Sequence, residues 1–353
     1  MKGRVAGDLD QDHPAHEGSA GAPSVRFAST MATAPSLTRR LSLGKRLKRL
    51  LLEIPAVEVS FRRRGFPCTD SSIRVRLERI GYVFLDGYHS ALDAHTVDSL
   101  VSLLDSLETQ DRGFAYEGAA MCLALQATLM PWRWGRVSAL LRVEAHRYMV
   151  HVGVGWALAV LPLPITPFLH RLDPLLRWLA VDGFGFHHGF FSTRRYLEER
   201  RVPARLRGYA RRAFDQGLGR ALWFAQGADV AGISKALSSF PESRQADLWS
   251  GVGLACAYAG GVADGVIQEL RVVAGKNRGS LAQGACFAAK TRQRAGNPAS
   301  HTDRACRVLC GMPAAAAAAV TDDALADLPA DSAEAYETWR RRIQSRFAEA
   351  LVG

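Results

Sequence analysis

The chain has 353 residues, 48% of them hydrophobic and 22% charged, an ordinary balance for a globular protein with room for one large domain or two modest ones. Its formal charge of +11 is concentrated at the front: residues 1–80 carry 15 Lys/Arg against 8 Asp/Glu, so +7 of the +11 lies there. Arg outnumbers Lys 39 to 6 throughout, and no base-reading motif or zinc-ligand pattern is present, which excludes nucleic acid as the expected partner.

Residues 1–35 are polar and rich in Gly, Ala, Pro and Ser, without the apolar core of a secretory signal. They are expected to be a disordered extension, with Met31 as an alternative start. Residues 36–56 pattern as a basic amphipathic helix: Leu37, Leu41, Leu47, Leu51 and Ile54 alternate with Arg39, Arg40, Lys45, Arg46, Lys48 and Arg49. Docking on the first part of the domain is preferred over a membrane surface.

Residues 57–313 carry a recurring glycine-centred segment: DGYHSAL at 86–92, EGAAMCL at 117–123, VGVGWAL at 152–158 and FGFHHGF at 184–190. QGLGRAL at 216–222, SGVGLAC at 250–256 and QGACFAA at 283–289 continue it. The anchoring glycines, Gly87, Gly118, Gly153, Gly185, Gly217, Gly251 and Gly284, are spaced by 31, 35, 32, 32, 34 and 33 residues. This period predicts an all-α, helical-hairpin array of solenoid type, with an irregular helical bundle as the alternative. Four residues after each glycine stands Ala91, Cys122, Ala157, Gly189, Ala221, Ala255 or Ala288, so each unit offers a ridge of small residues for close helix packing.

Pro131, Pro203, Pro241 and Pro298 punctuate the helices, and Asp173-Pro174, Ser280 and Ser332 resemble N-terminal caps. The apolar run Val152–Leu169 approaches membrane-span length, but Pro162, Pro164 and Pro167 predict a core helix followed by a loop. No integral membrane segment is expected. The alanine tract within 314–331 is a helical or flexible connector. Residues 332–353 form a capping helix whose stripe is Tyr336, Trp339, Ile343, Phe347 and Leu351. The six cysteines lack framework spacing and imply a reducing, cytoplasmic compartment. Cys306 and Cys310 are the buried face of a short helix in preference to metal ligands, and no metal or cofactor is expected.

No phosphate-cradling loop, nucleophile elbow or HExxH motif appears. The glycine pairs at 153–155 and 217–219 imitate part of a dinucleotide fingerprint, but no strand precedes them. Chemistry is therefore sought among polar residues in apolar surroundings. Just before the anchoring glycines stand Asp86, Glu117, Gln216, Ser250 and Gln283, with Val152 and Phe184 in the other two units. The candidate catalytic residues are Glu117, His187, His188 and Asp215; the candidate ligand-binding residues are Gln216, His151, Trp156 and Gln283. Carboxylates and imidazoles can exchange protons, and a stacked array would align them as one mixed polar and aromatic wall. The structural alternative is that His187, His188, Asp215 and Asp247 serve as core hydrogen-bond partners or helix caps.

Several long segments carry a family resemblance: RGFAYEGAAM at 112–121, YMVHVGVGWAL at 148–158, LDPLLRWLAVDGFGFHHGFF at 172–191, ADLWSGVGLACAYAGG at 246–261 and HTDRACRVLCG at 301–311. From about residue 40 onward the chain resembles DUF1702, a domain-of-unknown-function family encoded beside enediyne polyketide synthases. The resemblance implies an accessory role in maturing an enediyne core. It carries no catalytic residue with it. Two functions follow as expectations: a protein that binds a polyene intermediate or other proteins of the pathway, or a cofactor-independent isomerase or cyclase.

Overall fold

The computed structural model describes residues 49–329 and 334–349, and every regular element among them is helical. The α-helices of eight residues or more are, in chain order, α1 (Ser71–Asp93), α2 (Val97–Asp105), α3 (Arg112–Leu129), α4 (Trp134–Leu141), α5 (Arg147–Val160), α6 (Arg177–Phe191) and α7 (Ala210–Ala225). There follow α8 (Val230–Ser238), α9 (Glu242–Ala259), α10 (Asp264–Val273), α11 (Arg278–Arg294), α12 (Ser300–Cys310), α13 (Ala314–Asp323) and α14 (Ala335–Glu349).

Two kinds of helix alternate. The long helices α1, α3, α5, α6, α7, α9 and α11 pack each against the next in chain order. Most have small or apolar residues on every side, so nearly the whole of α3 and α7 is buried. The short helices between them are amphipathic and bury only one stripe; α2 contributes Leu100 and Leu104 alone. Hence the long helices form an inner layer and the short ones an outer layer. The outer layer is irregular, because α5 and α6 are followed by single turns at Thr166–Leu169 and Arg194–Glu198 where a full hairpin of helices was expected.

The glycines set the inner packing. A Cβ at Gly118, Gly153, Gly183, Gly217, Gly251 or Gly284 would strike a backbone carbonyl of the preceding long helix, that of Phe84, Glu117, Val152, Asp182, Gln216 or Ser250 respectively. A Cβ at Gly155, Gly185, Gly219 or Gly253 would strike the following one, at Ala180, Phe214, Leu248 or Leu281. Residues two apart lie about 200° apart around a helix, so Gly-x-Gly lets both neighbours approach at once. This corrects the frame of the fourth segment: Gly183, not Gly185, is the glycine that faces backward, and Asp182 takes the slot assigned to Phe184.

The succession closes on itself. Arg292 on α11 donates to the carbonyls of Gln110 (2.8 Å) and Tyr258 (2.9 Å), Asn297 donates to Thr109 O (3.0 Å), and Arg76 on α1 donates to Ala259 O (3.1 Å). The Phe114 and Tyr258 rings meet edge to face at 5.0 Å. The concave face of an open array is thus replaced by an enclosed interior.

Several local expectations have definite outcomes. The helix of the Val152–Leu169 run stops at Val160, and the proline segment beyond it is held by Arg205, which donates to Leu161 O and Leu163 O. Among the described residues no helix is long and apolar enough to cross a membrane. Asp173 does accept from the N–H groups of Leu175 and Leu176, but Ser280 lies inside α11 and caps nothing. Residues 314–319 are helical. Tyr336, Trp339, Ile343 and Phe347 are buried, with Trp339 against Phe287 at 4.6 Å, whereas Leu351, Ser332 and residues 1–48 lie outside the described residues. The six cysteines are free thiols; Cys306 and Cys310 are buried on α12, and Cys310 Sγ lies 3.8 Å from Cys286 Sγ.

Candidate functional site

Inside the ring the polar residues that precede the glycines join into one chain of contacts. Glu117 on α3 accepts from Trp156 Nε1 of α5 (2.9 Å) and lies 3.6 Å from Arg220 Nη2 of α7. Arg220 Nη1 pairs more closely with Asp182 Oδ1 of α6, whose other oxygen accepts from Gln216 Nε2 (2.7 Å). Ser250 on α9 spans Gln216 Oε1 (3.4 Å) and Gln283 Oε1 (2.8 Å). Gln283 also accepts from Arg340 Nε (3.1 Å), and Arg340 pairs with Asp247 (2.9 Å) and with the Tyr209 hydroxyl (3.0 Å). Asp247 continues to Arg212, which also holds Glu337. The close crossings at the glycines bring these side chains together, since Gly153, Gly217, Gly251 and Gly284 face the backbone carbonyls of Glu117, Asp182, Gln216 and Ser250, all members of the chain.

A cavity of about 50 Å³ lies at the Glu117 end. Phe84, Phe114, Phe186, Phe190 and Phe224 wall it, and its polar groups are Glu117, Trp156, Arg220 and Tyr258. A second space of about 30 Å³ lies on the other side of Arg220 and Tyr258, closed by Trp339 of α14. The first has room for a few water molecules and no more. Burial in this apolar enclosure pushes the Glu117 carboxyl up to about 7, against the opposing pull of Arg220. Burial also acts against the charge of Arg220, but Asp182 and then Glu117 outweigh it and hold the guanidinium above its ordinary range. The Tyr258 hydroxyl is buried without a hydrogen-bond partner, and burial keeps its proton on. It sits directly over Gly113, one helical turn from Glu117; a Cβ at Gly113 would overlap it.

Outside this cavity an apolar groove of about 510 Å³ runs from Leu51 past Leu125 and Leu129 to Val160 and Leu161. Trp156, Phe84 and Val59 line both spaces. The indole is therefore the partition between an elongated apolar surface and a buried carboxyl.

Of the sequence candidates, Glu117, Trp156, Gln216 and Gln283 meet in the contact chain. The others do not share its space, which corrects the expectation of a single wall. Adjacent helical residues point about 100° apart, so Asp215 faces away from Gln216. It pairs with Arg244 through both oxygens (2.9 and 2.5 Å), and burial pushes its carboxyl up to about 6 although Arg244 opposes the shift. His187 lies in the groove, 5.6 Å from the Trp156 ring, and burial lowers it to about 3. His188 stacks on Tyr196 (4.5 Å) and is lowered to about 4 by burial, then by Arg205 and Arg195. His151 contacts the Arg147 carbonyl through Nδ1 (2.7 Å) and is likewise lowered to about 4 by burial. Asp86 is exposed on α1. Sequence reasoning passed over Tyr258, Arg340 and Asp182. The signal for Asp182 was present: it precedes a glycine as Glu117 and Gln216 do.

A family model described as a protein of unknown function, DUF1702, matches residues 43–347. No curated protein and no solved structure matches the chain.

Proposed function

The chain belongs to the DUF1702 family, a family of unknown function, and from that premise we propose that it binds an elongated apolar polyene in the groove beside Trp156 as an accessory protein of enediyne polyketide biosynthesis in the cytoplasm. The supporting observation is the groove itself: its volume falls within the roughly 300–1,000 Å³ of small-molecule sites, and it is lined mainly by aliphatic and aromatic side chains, with Glu53, Glu58 and His187 among its polar members. A conjugated chain is flat and apolar, so it gains from burial against Leu125, Phe191 and the indole without needing hydrogen bonds along its length. The pathway assignment rests on the resemblance of the long segments quoted above.

The test uses a conjugated tetraene fatty acid as probe and follows energy transfer from tryptophan to the polyene. Saturable binding is expected. Leu129 and Val160 are exposed on the groove, so Leu129→Glu and Val160→Glu leave the core intact and are expected to weaken binding by about tenfold or more through desolvation of the carboxylate. Parental affinity in both variants would refute the groove. Loss of the gene in the producing strain should raise the polyene pool seen by mass spectrometry, with restoration on re-expression. A second function, cofactor-independent catalysis, is favoured by one observation, the buried carboxyl behind the indole.

A further inference from the structure

We infer that Glu117 and Tyr258 form a proton-transfer site that moves an isolated double bond at the carbonyl end of an elongated apolar substrate, converting a β,γ-unsaturated aldehyde to its α,β-conjugated isomer, with Trp156 as the door between groove and site. The inference rests on the groove proposal and adds a reaction to it.

Three observations carry it. First, one guanidinium serves two carboxyl groups. Asp182 takes the closer contact with Arg220 and a second bond from Gln216, leaving Glu117 with Arg220 at 3.6 Å and the indole N–H. Glu117 is the less firmly held of the two, which suits a group that must take up and give back a proton. Second, Tyr258 is a buried donor with nothing to donate to, one turn along from Glu117 on the same cavity wall. An unpaired buried hydroxyl is destabilising, and a bound carbonyl oxygen would relieve that cost. Third, the cavity is far too small for a polyene, whereas the groove is large enough. Only the carbonyl end of the substrate therefore enters, once the indole withdraws from Glu117, while the apolar tail stays in the groove.

The step balances without an oxidant or reductant. The Glu117 carboxylate removes a proton from the α-carbon, the C–H electron pair moves into a dienolate, and the Tyr258 hydroxyl donates to the developing oxyanion. Protonated Glu117 exchanges with solvent and then delivers a proton, or in deuterated buffer a deuteron, to the γ-carbon. The bond between the β- and γ-carbons becomes single, that between the α- and β-carbons becomes double, and the enzyme ends as it began.

The experiment incubates the full chain in deuterated buffer with trans-3-dodecenal, whose double bond is isolated. It reads deuterium at the γ-carbon by mass spectrometry, conjugation by absorbance, and binding by displacement of the conjugated tetraene fatty acid, followed through tryptophan energy transfer to that acid. The parent should bind, exchange and shift the absorbance to longer wavelength. Glu117→Gln should bind as the parent does and lose exchange by about 100-fold or more, and Tyr258→Phe by a similar factor. The rate should rise with pH through about 7, because Glu117 acts as its anion; the ionisable groups around it are Arg220, Asp182 and Tyr258. Binding with neither conjugation nor deuterium uptake by the parent would overturn the reaction and leave the groove standing. Failure of the parent to bind the aldehyde would overturn both. Exchange by Glu117→Gln at the parental rate would overturn the assignment of the base. If the Gln variant does not fold, Glu117→Asp keeps the buried charge and shortens its reach; parental exchange by a folded Asp variant would overturn it equally.

Discussion

Arg220 is one cation held between two buried carboxyl groups, and its removal isolates them both. A buried pair contributes little net stability when made, because desolvation offsets the attraction, but breaking it leaves a buried group without compensation. Arg220→Met should therefore cost about 3–5 kcal/mol in urea unfolding, while Glu117→Gln, which keeps shape and an acceptor for the Trp156 N–H, should cost less than about 1.5 kcal/mol. Equal losses from the two substitutions would show that Arg220 is not the shared counter-charge. Asp215 with Arg244 is a separate pair, so its variants should add to those of Glu117 without coupling.

At the scale of elements, the inner helices are specified by where a side chain is absent. In α7, Gly217 meets the Asp182 carbonyl and Gly219 meets the Leu248 carbonyl, so the helix can take no Cβ at either position without moving a neighbour's backbone. Gly217→Ala should cost more than about 2 kcal/mol, since overpacking against backbone cannot be relieved by a rotamer change. Gly135 on α4 provides the control, because nothing lies within 4 Å of its added Cβ. Gly135→Ala should stabilise by roughly 0.5–1 kcal/mol through the lower entropy of the unfolded chain. Thermal melts that rank the two substitutions the other way would remove close helix contact as the reason for the glycines.

For the whole molecule, ring closure buries titratable groups far from the site. Burial depresses His146, His151, His188 and His301 to about 4 and His187 to about 3. The unfolded chain titrates its histidines near 6.5, so between that value and about 4 it binds more protons than the folded chain, and stability falls as pH falls. Glu117 and Asp215 act in the opposite sense, because their raised values make the folded state the better proton acceptor between roughly 4 and 7. Five groups outweigh two. Unfolding free energy should drop by on the order of a few kcal/mol per pH unit near pH 5; a melting temperature constant from pH 7 to 4.5 would contradict this burial of the histidines.

Helix class, the core run Val152–Val160 and the apolar stripe of α14 were legible in the sequence because each depends on periodicity within one segment. So was the importance of the residues before the glycines: Glu117, Gln216 and Gln283 are polar residues set directly before a glycine in long helices rich in small and apolar residues, and such residues must find partners wherever the chain goes. What sequence could not supply was direction between segments. The backward and forward glycines of Gly-x-Gly look alike in a string, so Gly185 stood for Gly183 and Asp182 was missed. Asp215 and Gln216 differ by one residue and by about 100° of helix rotation, and only packing decides which of them faces inward. Ring closure, which sets Tyr258 over Gly113 and makes Trp156 a partition between groove and cavity, arises from contacts between segments more than a hundred residues apart. It is the sum of each long helix packing on the next, and no local pattern records that sum.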